Sequence, residues 1–107
     1  MTLVDELKAA LVETGYKFAH FAWSAAPVGD YGTYGEDSGN DLVADGMHVE
    51  SGIDGYINYF TRDDTGEPKQ VIEAALNSLR IPWYLNSVQY ENDTGYIHYE
   101  WSFSCYG

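Results

Sequence analysis

Two stretches of the chain repeat their apolar residues at helical spacing, and most of the others alternate them. From Thr2 to Glu13, Leu3, Leu7, Ala10 and Leu11 form one stripe while Asp5, Glu6 and Lys8 lie off it. Thr2 suits the cap, Asp5 suits the positive end of the helix dipole, and Gly15 stands where a left-handed C-cap is wanted. A helix of about three turns is marginal alone, so this one must pack on something. The second stripe is Val71, Ile72, Ala75, Leu76 and Leu79, within a helix predicted over Lys69 to Leu79. Asp64 or Thr65 is expected to cap it, with Pro68 in its first turn and Pro82 beyond its end.

Between and after these helices the period is two. Tyr16 to Trp23 is apolar on both sides and reads as a central strand. Met47 to Thr61 reads as strand interrupted at Gly52 and Gly55, most surely over Tyr56–Thr61. Trp83 to Tyr90 is a strand, and 91–95 is a hairpin loop in which Gly95 is free to take positive φ. Tyr96 to Tyr106 alternates most cleanly. Ile97, Tyr99, Trp101, Phe103 and Cys105 share one face, and Tyr96, His98, Glu100, Ser102 and Ser104 share the other. Ser24 to Gly46 is different: five glycines and Pro27 are interleaved with Asp30, Glu36, Asp37, Asp41 and Asp45. Tyr31 to Tyr34 is a short strand there, and the rest is a long acidic loop, a length that usually signals function or ordering by a partner. The pattern predicts an α+β fold: an antiparallel β-sheet of four to five strands with two α-helices packed on one face, as a single domain over residues 1–107.

Composition narrows the function. With 45% hydrophobic and 16% aromatic residues the chain is no disordered tail. Five Lys and Arg against 17 Asp and Glu give a formal charge of -12, which argues against a nucleic-acid groove or a surface for anionic lipid. The acidic amphipathic opening is wrong for a signal peptide, and no apolar run spans a membrane. Cys105 alone makes neither an intrachain disulfide nor a multi-cysteine zinc site. His20, His48 and His98 fall on separate segments, so a metal or catalytic triad would require all three to converge. The acids from Glu36 to Asp45 lack the spacing of a calcium loop, and the glycines lack the strand-to-helix context of a phosphate loop. No catalytic residue, metal or cofactor is expected. The surplus of tyrosine and tryptophan suits an interface as well as it suits a tyrosine-coated sheet. Trp23, Tyr31 and Tyr34 are the candidate interface aromatics, with Tyr84 and Tyr90 also near element ends.

The order of motifs resembles a known family. Leu3 and Leu7 leading to Thr14-Gly15, then Pro27 with Asp30-Tyr31-Gly32-Thr33-Tyr34, then Ala44-Asp45-Gly46, are similar to the small tail-completion and tail-terminator proteins of long-tailed bacteriophages and prophages. So are Tyr56–Thr61 followed by Arg62-Asp63-Asp64, the helical stripe ending before Ile81, and the closing run from Ile97 to Phe103. The chain departs from that pattern at Gly29-Asp30, where Pro-Pro is common before the tyrosine, and at Gly46, where Asn is common. The resemblance implies two helices on an antiparallel sheet, and a structural virion protein rather than an enzyme. It also implies a ring, usually of six copies, that caps the head-proximal end of the tail tube and joins tail to head. The partners would be further copies, the major tail tube protein and head–tail connector proteins. DNA would pass without being bound. Six copies would set a charge of about −72 around one axis, which repels phosphate. Glu36, Asp37, Asp41 and Asp45 are the expected lumen or subunit-contact loop. The rival reading is an acidic DNA mimic that inhibits a host nucleic-acid-binding protein.

Overall fold

A computed structural model describes residues 3–25, 27–37 and 52–106. The chain order is α1 (Leu3–Glu13), β1 (Phe18–His20), β2 (Tyr31–Asp37), β3 (Gly52–Thr61), α2 (Glu67–Ser78), β4 (Trp83–Tyr90) and β5 (Ile97–Tyr106). The strands form one sheet in the order β1-β2-β3-β5-β4. Its centre is the long antiparallel pair β3–β5, in register from Gly52 opposite Tyr106 to Thr61 opposite Ile97. The α+β class holds, with one difference: β1 runs parallel to β2, so the sheet is mixed.

That difference corrects the expected central strand over Tyr16–Trp23. Only Phe18–His20 pairs, and it pairs as an edge. Phe21 turns to φ 69°, a left-handed value costly for a bulky side chain, and its N–H reaches Tyr34 O at 2.7 Å. The chain then leaves the sheet. Apolar character on both sides of this segment comes from rings that pack onto the sheet's end, with Tyr16 and Phe18 both lying against Tyr59.

The two stripes and the alternating strands meet in one core. Leu7 and Leu11 of α1 and Ile72 and Leu76 of α2 pack with Tyr34, Ile57, Tyr59, Tyr99, Trp101 and Phe103 of the sheet. Each such side chain contributes roughly 1.5–3 kcal/mol by leaving water. Both helices therefore cover the same sheet face. Gly15 ends α1 at φ 81°, as its position predicts. The start of α2 differs from expectation. Its cap is Gly66 at φ 84°, with no side-chain cap, while Thr65 Oγ1 accepts from the Glu67 N–H at 3.3 Å. Asp63 takes over the local work. Its Oδ1 accepts from Thr65 Oγ1 at 2.6 Å and from Thr65 N–H at 2.8 Å, which lowers its pKa from the usual carboxylate value.

One polar knot ties the ends together. The buried Thr61 donates from Oγ1 to Asp30 Oδ2 at 2.5 Å and accepts from the Asp63 N–H at 3.0 Å. Beside it, burial first and then the Asp30, Tyr16 and Asp63 charges raise the Tyr59 pKa far above 10. Tyr16, Tyr31 and Tyr34 are also raised, in each case chiefly by burial. A phenol whose folded pKa lies above its unfolded value adds stability that is whole below about pH 10 and is lost as pH rises from there toward the folded pKa. The protein is thus expected to lose stability steeply above pH 10. Tyr59→Phe should flatten that fall in urea unfolding measured from pH 8 to 11, and an unchanged slope would contradict the assignment.

Candidate assembly surface

The sheet has two edges of unequal kind. On one side β1 is three residues long and closes at the Phe21 turn. On the other, β4 offers eight residues and pairs only with β5, so its outer edge has no strand partner among the described residues. Unpaired backbone donors and acceptors in such an edge are a template for another chain.

The side chains of β4 sharpen this. Trp83 and Leu85 stand opposite Phe103 and Trp101 and pack toward the helices. Trp83 also donates from Nε1 to Asn77 Oδ1 of α2 at 2.8 Å. The register then slips between Leu85 and Ser87, a bulge that leaves Asn86 extra. Parity changes there, so Val88 and Tyr90 stand opposite Tyr99 and Ile97 on the helix-bearing face. No helix covers them: Val88 is 50% exposed and Tyr90 65%. Tyr84, on the opposite face, is 63% exposed. Half of the large exposed apolar side chains among the described residues therefore lie on this one edge strand.

The expected acidic site is only partly in view. Glu36 and Asp37 end β2, and Asp41 and Asp45 lie outside the described residues, as does His48. Glu36 accepts a 2.5 Å hydrogen bond from His20 Nε2 of β1, so it serves the β1–β2 pairing as well as the rim. The candidate aromatics divide. Tyr34 is 4% exposed and belongs to the core, so it is no interface side chain; alternation carries it to the helix-bearing face beside Ile57. Trp23 is half-buried and donates from Nε1 to Gly32 O at 2.9 Å, pinning the segment after β1 onto β2. Tyr31 is half-buried and stacks on Phe60 at 4.9 Å with Tyr96 edge-on at 5.8 Å. Its ring extends an aromatic row across the face opposite the helices, continued by Phe60 on His98 at 4.2 Å.

No protein-family model matches the chain, and no curated protein matches it. The surface is therefore read from its own geometry.

Among the described residues no three metal-ligating side chains stand together, and no helix is long and apolar enough to cross a membrane. His20 stacks between Phe21 and Tyr34, and His98 shares a 2.8 Å hydrogen bond with Asn58 Oδ1, its ring N–H donating. The two histidines sit on different strands and opposite faces, each with its own structural partner. Sequence reading missed Val88 and the Asn86 bulge. The signal was present in Trp83-Tyr84-Leu85-Asn86-Ser87-Val88-Gln89-Tyr90, where apolar residues change parity between 85 and 88.

Proposed function

We propose that the chain is a structural subunit of a bacteriophage tail, a tail-completion or tail-terminator protein. It would cap the head-proximal end of the tail tube and join it to the head as a ring, with six copies the natural number. Its place is then the virion's head–tail junction, assembled in the host bacterium's cytoplasm, and it needs neither catalysis nor cofactor. The free, apolar edge of β4 carries this reading. A strand edge that exposes Val88 and Tyr90 gains both hydrogen bonds and apolar burial by meeting another chain. A ring closes when each copy presents one surface to a different surface of the next, and closure leaves no edge open. Two further observations support it. Both helices lie on one sheet face, as in the family whose motifs the sequence resembles. The charge of -12 suits a lumen through which DNA slides without sticking.

The test is a double substitution, Val88→Lys with Tyr90→Lys. Both side chains are half exposed or more, so the melting temperature should move by only a few degrees. Interface anchors of this kind are worth about 2 kcal/mol or more each, so cosedimentation with tail tubes should fall at least roughly tenfold. Undiminished cosedimentation would remove β4 from the interface.

A further inference from the structure

The sheet face opposite the helices has a chemistry of its own. By register it carries Tyr31, Phe60, His98, Tyr56 and Tyr84 together with Asp54 and Glu100. All five cations of the chain, Lys8, Lys17, Arg62, Lys69 and Arg80, lie in helices or turns, and none lies in a strand. Arg62 lies over the Tyr96 ring at the Tyr31–Phe60 end of this face, and the strand residues around Asp54 and Tyr84 at the other end include no cation. The face holds a groove of about 290 Å³ over Ser102 and Ser104 of β5, walled by Asp54 of β3 and by Pro82 and Tyr84 at the start of β4. Two short serines flanked by a carboxylate and a ring make the depression.

The hydroxyls of the floor are occupied. Ser104 Oγ donates to Asp54 Oδ1 at 2.7 Å, and Asn86 Nδ2 donates to Ser102 Oγ. The Ser104 bond holds the Asp54 carboxylate at the rim through its Oδ1. Tyr84, 63% exposed, supplies an open π-face on the other wall.

We infer that this groove docks a partner protein through an arginine side chain, its guanidinium on Asp54 and its plane against Tyr84. Guanidinium suits the site better than ammonium because it is planar, weakly hydrated and stacks on aromatic rings while donating to a carboxylate. The groove lies on the face away from the helices and does not require β4 to pair, so the inference stands whether or not the chain closes a ring.

The test uses the full chain and a five-residue peptide alternating arginine and tyrosine, followed by amide shifts in two-dimensional NMR. Saturable shifts should centre on Asp54, Tyr84, Ser102 and Ser104. Asp54→Asn, which keeps an acceptor for Ser104, should weaken binding about fivefold, and Tyr84→Ala about threefold. The same peptide with glutamate in place of arginine should leave these amides unmoved. Shifts spread evenly over the acidic surface, or equal binding by Asp54→Asn, would mean diffuse counter-ion association and would overturn the inference. So would a response to the glutamate peptide.

Discussion

Trp101→Ala is expected to lower stability by about 3–5 kcal/mol, a large share of the roughly 5–15 kcal/mol that holds a domain folded. Trp101 is fully buried at the middle of β5, between Ile57 of β3 and Leu85 of β4, and stacks on Tyr99 at 5.6 Å. Truncation removes the largest fully buried side chain among the described residues and opens a cavity beneath both helices. It also takes away the indole N–H that donates to Glu73 Oε2 at 3.0 Å. Glu73 keeps its Lys69 partner at 3.1 Å, so the carboxylate is not stranded, and most of the loss is packing. For a domain of this size the melting temperature should fall by roughly 15–30 °C. Trp101→Phe should cost far less, about 1–2 kcal/mol, since the ring remains and only the N–H and some volume go. A drop of a few degrees for the alanine variant would show that the core is centred elsewhere.

The second large effect is an addition. At Gly55 a Cβ would meet the Phe103 ring and stand 2.5 Å from Gly35 O of the neighbouring strand. The ring can rotate, but the carbonyl belongs to the β2–β3 ladder and cannot move without breaking register. Gly55→Val should therefore cost about 3 kcal/mol, although valine favours strands. An exposed strand position such as Gln89→Val serves as the control and should change little. Denaturant midpoints of the two variants check this, and equal midpoints would contradict the close β2–β3 approach.

These two sites also show where the sequence was legible. The Ile97–Phe103 alternation marked Trp101 as core, and the stripes of α1 and α2 marked Leu7, Leu11, Ile72 and Leu76, because burial imposes a period on residue type. Gly55 announced an interruption, but the structure uses it for close strand packing without a break in the ladder. A glycine in a strand signals several things, and only the neighbour decides which. The β1 segment misled because its apolar residues pack onto the sheet's end and not within its middle. Tyr34 misled in the opposite sense: a tyrosine in a glycine-rich stretch resembles an interface residue until its partner strand is known. The β4 edge was half legible. Tyr84 and Tyr90 were visible as candidates, but Val88 became one only through the register slip at Asn86, which depends on β5.

The same slip links the fold to the proposed role. Without it, Val88 and Tyr90 would change faces with Ser87 and Gln89, and β4 would present a different edge. A bulge next to an interface often re-aims side chains in this way. The edge it creates is apolar, has no strand partner among the described residues and is far in sheet order from the β1 side, which would give successive copies of the proposed ring two distinct sides.

The most direct measurement is negative-stain electron microscopy of the purified chain mixed with tail tubes assembled from the major tail tube protein that the proposed function requires as its partner. A ring of density is predicted at one end of each tube, the head-proximal one, with tube growth arrested there. Bare tube ends at saturating protein, or density scattered along the tube wall, would contradict the assignment of this chain as the subunit that closes the tail.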